Sequence, residues 1–172
     1  QPIGMDPAVL RDDMVASLEH DSKGCVQSEV ISIAMRAVPR HAFVEDDRAA
    51  YADRPFERFG TRVLAPSTVA RLLEALDPGE DDSVLVVGAG VGYTVAVLAE
   101  IVGGRNVQAI DITRRLVYEA RENLAEAGYG EVLVDRGDGA DGLPGYAPYD
   151  RILLEAAAVQ PPQRLVDQLA DD

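Results

Sequence analysis

The sequence predicts an α/β chain: a Rossmann-like, parallel, doubly wound sheet preceded by a helical N-terminal segment. Three observations predict it. From Ser83 onward, short apolar runs alternate with helix-forming stretches. A glycine turn, Gly88-Ala89-Gly90-Val91-Gly92, separates the first run from the helix after it. The second run closes on an acid, Asp111. Strands that alternate with helices need crossover connections, and those build parallel sheets.

The elements follow in order. Val9, Met14 and Leu18, then Val30, Ile33, Ala34 and Ala37, recur at helical spacing. Pro39 ends the second of these helices, and Arg54 to Ser67 has the Pro/Gly content of an ordered loop. Ser67 is the expected N-cap of "TVARLLEAL", which Pro78-Gly79 stops. "SVLVV" is a buried strand and Tyr93 to Val102 a helix; "NVQAI" is the second strand. Arg114 to Ala127 is a helix that Gly128 caps. "EVLV" is the third strand, "RILLEAA" (Arg151 to Ala157) the fourth, and "PPQRLVDQLA" opens a last helix. The organisation is one compact domain, with a helical segment and loop over residues 5–80 and the sheet over residues 81–172. The chain stops where another strand is expected, which leaves "RILL" without an outer neighbour. The expectation is a fragment lacking C-terminal strands, or else an exposed edge through which chains associate; a monomer is the default.

Composition narrows the function. Thirty acidic side chains face sixteen basic ones, a formal charge of -14, and Lys23 is the sole lysine. Such a surface repels phosphate backbones and anionic membranes, so nucleic acid and membrane partners are not expected. The balance suits a protein kept soluble in a salty cytoplasm, where charge repulsion is screened. Cys25 alone excludes an internal disulfide, and with only His20 and His41 a metal site is not expected. No apolar run approaches about 18 residues and no signal-peptide pattern opens the chain, so a cytoplasmic location is expected.

The glycine turn lets a ligand approach the N–H groups at a helix N-terminus. Asp111 stands twenty-one residues after Gly90, where a carboxylate can accept bonds from both ribose hydroxyls. Adenosine-containing cofactors of two classes use this pair. A dinucleotide wants a glycine three places after Gly90, and Tyr93 stands there instead. Gly92 fits S-adenosyl-L-methionine better. In "DRGDGADGLP", Asp138 beside Gly139 either reaches an adenine amine or makes a simple Asx turn.

The chain resembles the protein-L-isoaspartate O-methyltransferase family from about Asp13 onward. "AMRAVPRHAFV", "YADRPFERFG", "APSTVARLLEAL", "VGAGVGYTVAVLAEIVG", "ARENLAEAGY" and "GDGADGLPGYAPYDRILLEAAA" match that family's segments in order. The acidic, lysine-poor composition resembles a haloarchaeal member. The resemblance implies an S-adenosylmethionine-dependent methyltransferase fold and a protein-repair enzyme. It would methylate the α-carboxylate of L-isoaspartyl residues in damaged proteins or peptides, releasing S-adenosyl-L-homocysteine. It assigns Gly88, Ala89, Gly90, Val91 and Gly92, Asp111 with Ile112, and Asp138 with Gly139 to the cofactor. Thr61, Ala65 and Pro66 fall on the substrate side, with Ala156, Ala157 and Ala158 beside the reacting carboxylate or simply packed close to it.

The match departs from the family at the acceptor end. Leu64 stands where the family has a serine implicated in handling the acceptor carboxylate, and leucine donates no hydrogen bond. Arg62 either supplies a charge-assisted contact there or is a solvated surface arginine. Val86 replaces an acid common before the glycine loop, and Glu155 replaces a small or hydroxylated residue. The alternative is therefore a relative that binds the same cofactor but methylates another acceptor, or that has lost isoaspartyl activity.

Overall fold

A computed structural model describes residues 6–20, 24–44, 46–155 and 163–170. The N-terminal segment forms helices α1 (Pro7–His20), α2 (Glu29–Ala37) and α3 (Asp47–Ala50). Ser28 caps α2, its side chain accepting from the Ile31 N–H. The buried stripe of α2 is Ile31, Ala34 and Met35; Val30 and Ile33 are 53% and 60% exposed. The expected stripe was therefore rotated by about one residue. An Arg36 guanidinium reaching back to α1 explains the orientation, pairing with both oxygens of Glu19 at 2.9 and 3.0 Å and with Asp12 at 2.7 Å.

The expected loop at 54–67 is partly a β-hairpin, β1 (Phe56–Arg58) with β2 (Thr61–Val63), antiparallel with Arg58 opposite Thr61. Phe59 and Gly60 take φ of 51° and 76°, the two left-handed positions that a tight two-residue turn needs. With Phe at the first of them, the sequence lacked the usual Asn-Gly signal. Helix α4 (Pro66–Leu76) starts two residues earlier than expected, with Pro66 in its first turn. Ser67 is not its cap. The Ser67 N–H instead donates to Asp53 Oδ1 at 2.9 Å, so an acid fourteen residues upstream satisfies the helix end.

The sheet contains β3 (Val84–Val87), β4 (Val107–Asp111), β5 (Leu133–Arg136) and β6 (Arg151–Leu154), all parallel, in the order β5-β4-β3-β6. Strand β5 begins two residues later than the sequence suggested. Helices α5 (Tyr93–Val102) and α6 (Arg114–Ala127) connect β3 to β4 and β4 to β5, and α7 (Gln163–Val166) follows β6. The proline start expected for α7 lies outside the described residues.

Both faces of the sheet are covered. Val84 and Val86 point into the large cluster shared with α1, α2, α4, α5 and α6; Leu85, Val87 and Ile110 point to the opposite cluster with Tyr149 and Leu165. That two-sided burial is why β3 reads as an unbroken apolar run. The chain just ahead of β6 is paired. Tyr149 and Leu169 form a parallel bridge, with Tyr149 N–H on the Gln168 carbonyl and Ala170 N–H on the Tyr149 carbonyl, both 2.7 Å. Among the described residues β6 itself pairs with β3 alone and stands at the sheet edge.

Candidate functional site

Strand order reverses at β3, which has β4 on one side and β6 on the other. Ligands of open α/β sheets bind outside the carboxyl ends of strands at such a point. A cavity of about 680 Å³ opens there, and its wall includes the ends of all four strands: Val87 and Gly88, Asp111, Gly137, and Glu155.

The glycine turn is fastened to β4. The Gly88 and Ala89 N–H groups both donate to the Ile110 carbonyl, at 2.8 and 3.0 Å. Asp111 Oδ2 accepts the Gly90 N–H at 3.1 Å, and Oδ1 accepts the Thr113 N–H at 3.1 Å. Each carboxylate oxygen keeps a free acceptor site for a ligand hydroxyl. Gly92 takes φ of 101°, and a Cβ there would lie 3.3 Å from Leu124 and 3.4 Å from Phe43. Glycine is needed at 92 for backbone conformation and for close packing against α6.

The structure brings Gly88, Gly90, Asp111, Ile112, Asp138 and Gly139 around one cavity with Thr61, Arg62 and Leu64. Ala89, Val91 and Gly92 line a narrow recess behind it, which Arg62, Leu64, Gly90 and Glu155 also border. Ala65 is buried and Pro66 begins α4, so neither is on the cavity wall. Ala156, Ala157 and Ala158 lie outside the described residues. Asp138 makes the Asx turn, Oδ1 accepting the Ala140 N–H at 2.8 Å, while still lining the cavity. Ile112 presents an apolar side chain, 61% exposed, at the rim. Arg62 is exposed as well.

Four residues of the site escaped the sequence reading or changed meaning. Arg40 is fully buried, its Nε donating to the Ala50 carbonyl at 2.7 Å and its Nη2 to the Leu64 carbonyl at 3.0 Å. It fixes the path of the chain at Leu64, and burial draws its guanidinium below the usual arginine range. The guanidinium stacks 4.5 Å from the centre of the Tyr93 ring. Burial pushes the Tyr93 phenol up to about 12. Phe59, at the hairpin tip, joins the cavity wall and lies beneath Arg115 at 4.0 Å. No motif announces an arginine that holds two backbone carbonyls.

Glu155 is the fourth. Its N–H donates to the Val87 carbonyl at 3.0 Å, which sets it beside the glycine turn. Its side chain is half-buried and lines the cavity. Desolvation, with Asp111 adding repulsion, outweighs a hydrogen bond from Thr94 and the charge of Arg40, and pushes the carboxyl up to about 7. The ionisable side chains on the wall are then Asp111, Asp138 and Glu155 against Arg62.

These features define a Rossmann-like fold of the methyltransferase type, with a nucleoside-sized site at the strand ends. A model of the protein-L-isoaspartate(D-aspartate) O-methyltransferase family matches residues 11–172. The chain belongs to that family. A protein-L-isoaspartate O-methyltransferase of Aeropyrum pernix is 49% identical over 153 residues, 86% of this chain and 58% of the relative. One of Methanosarcina mazei is 43% identical over 164 residues, 93% of this chain and 66% of the relative. The chain thus spans less than two thirds of the length of these two relatives. Among solved structures, a protein-L-isoaspartate O-methyltransferase superposes with a TM-score of 0.81 at 25% identity, covering 93% of this chain and 52% of the other. A Plasmodium falciparum chain, described as a protein of the same type in complex with S-adenosyl-L-homocysteine, gives 0.79 at 20% identity, covering 94% and 80%. That second likeness speaks to the fold.

Proposed function

We propose that the protein transfers a methyl group from S-adenosyl-L-methionine to the α-carboxylate of L-isoaspartyl residues in damaged proteins or peptides. The observation that carries this is the fastening of Asp111 to the Gly90 N–H, on a cavity wall that also holds the Asp138 carboxylate. Such a wall suits a cationic adenosyl cofactor and repels a pyrophosphate. Buried Tyr93 at the position of the third dinucleotide glycine points the same way.

The residues fit the cofactor. Asp111 would accept the ribose hydroxyls, Ile112 and Leu116 would give the adenine an apolar face, and Asp138 with Gly139 would meet its amine. Gly88 to Gly92 would flank the methionyl end. Thr61, Arg62 and Leu64, ahead of Ala65 and Pro66, would bound the acceptor, and the family resemblance assigns Ala156 to Ala158 to it as well. When bound, the cofactor supplies an electrophilic methyl group on a cationic sulfur. An α-carboxylate, with a reference pKa of about 3.5, is already an anion at neutral pH, so no general base is needed. The chain's task is to align the acceptor and exclude water. Residues 5–80 would then serve mainly the acceptor and residues 81–172 the cofactor.

A second reading, the same cofactor with a different acceptor, is favoured by Leu64 and Glu155, neither of which gives a carboxylate a permanent donor. The acidic composition supports a protein adapted to a salty cytoplasm, acting as a monomer without nucleic acid. Among the described residues no helix is long and apolar enough to cross a membrane, and no acid, His or Cys group is placed to hold a metal. The test is transfer of labelled methyl to an isoaspartyl peptide and to its aspartyl twin in concentrated potassium chloride. Transfer to the isoaspartyl peptide alone is expected. Equal transfer to both, or none to either with the cofactor bound, would move the assignment to another acceptor.

A further inference from the structure

At the Gly90 end of the cavity the side chains on the wall are Arg62, Leu64 and Glu155, with Tyr93 and Thr94 in the recess behind them and Thr61 on the wider wall; of these, Glu155 is the one set beside Gly90 itself. A carboxylate that leaves water there needs a hydrogen-bond donor. Leu64 has none in its side chain, and its carbonyl is held by Arg40. The Thr94 hydroxyl is buried and bonded to Glu155. Arg62 is exposed, so water screens its charge. Glu155 stands at the reacting end itself. Its Oε2 is 3.7 Å from the point where a Cβ on Gly90 would lie. As an anion it repels a carboxylate; as an acid it has one O–H to give.

We propose that Glu155 is an acceptor-binding residue that works in its protonated form, donating its O–H to one oxygen of the acceptor carboxylate while the other oxygen takes the methyl group. The inference rests on the carboxyl-methylation reading above. No bond to Glu155 is made or broken. The sulfur–methyl bond breaks as the oxygen–methyl bond forms, and the proton stays on Glu155 beside a neutral ester.

The surrounding groups set the proton's hold. Asp111, at the end of β4, strengthens it; Arg40, from the turn after α2, and the Thr94 hydroxyl of α5 weaken it. Arg62 of the hairpin borders the same recess, and Tyr93 is a neutral phenol at these pH values. Desolvation prevails, so the carboxyl titrates near 7 rather than at 4.5. An incoming carboxylate raises that value further, and a bound sulfonium opposes it.

The experiment follows the KM for an isoaspartyl peptide from pH 6 to pH 9 in the native protein, Glu155→Gln and Glu155→Ala. Calorimetric binding of the same peptide in the presence of S-adenosyl-L-homocysteine runs alongside. In the native protein KM and the dissociation constant should rise about tenfold per pH unit above the Glu155 midpoint. Glu155→Gln, whose amide donates at every pH, should hold both low and flat. Glu155→Ala should show weak binding throughout. Parallel pH profiles in native protein and Glu155→Gln overturn the inference and leave the isoaspartyl reading standing. A flat native profile does the same, whether or not the variants fold. Neither transfer nor peptide binding at any pH overturns the isoaspartyl reading, and this inference with it.

Discussion

Asp111 Oδ2 accepts the Gly90 N–H at 3.1 Å, tying the end of β4 to the glycine turn that follows β3. With Thr113 N–H on the other oxygen at 3.1 Å, the carboxylate is oriented before any ligand arrives. Turn and acid thus act as one unit, and a ligand that uses both meets little reorganisation.

Replacing Asp111 by alanine removes that orientation and the ribose acceptor together. S-adenosyl-L-methionine affinity should fall by about 1–3 kcal/mol, the usual loss for a charged hydrogen bond. Titration calorimetry on the two proteins at one salt concentration reads the difference.

Arg40 should matter for stability well beyond what its place in the sequence suggests. Arg40→Met strands the Ala50 and Leu64 carbonyls, at ~1–3 kcal/mol for each that stays buried. Urea unfolding should show the lowered midpoint.

Gly92 and Gly128 separate strain from crowding. Both have positive φ, 101° and 96°, but only Gly92 has neighbours within 4 Å of an added Cβ. Gly92→Ala should cost ~1–3 kcal/mol from left-handed strain plus overpacking, and Gly128→Ala less. Denaturation midpoints decide it.

Glu155 also predicts a pH dependence of stability. Its folded carboxyl titrates near 7 against an ordinary 4.5, so the folded state holds the proton more tightly. Below pH 4.5 both states are protonated and the full stability is present. As pH rises from 4.5 towards 7 the unfolded chain releases its proton first, and stability falls; above 7 the loss is complete. Its upper limit is about 3 kcal/mol. Thermal unfolding of Glu155→Gln should lack this decline, and equal declines in both proteins would count against it.

The parts of the fold governed by local periodicity were legible in the sequence. The Val84–Val87 strand, the helix from Tyr93 and the Gly128 cap follow from runs and punctuation within a few residues. The glycine turn and Asp111 were legible for the same reason: each closes a strand whose end the apolar pattern marks. What escaped is long-range. Asp53 capping α4, Arg36 turning α2 onto α1, and Arg40 holding the Leu64 carbonyl each join segments fourteen or more residues apart. The sequence did flag Glu155 as a departure, but its chemistry depends on Asp111 and on partial burial, which only the folded chain provides.

Leu64→Ser should restore a permanent donor on the hairpin side of the acceptor. Isoaspartyl transfer should rise, most above pH 8, where Glu155 has become an anion. An unchanged rate across pH would remove position 64 from the acceptor site.

The central claim is that the cavity at the strand ends holds an adenosyl cofactor through Asp111. Titrating S-adenosyl-L-methionine and, separately, a nicotinamide dinucleotide into the native protein and Asp111→Ala tests it most directly. One equivalent of S-adenosyl-L-methionine should bind, more weakly to Asp111→Ala, with no uptake of the dinucleotide. Dinucleotide binding, or S-adenosyl-L-methionine affinity unchanged by the substitution, would contradict it.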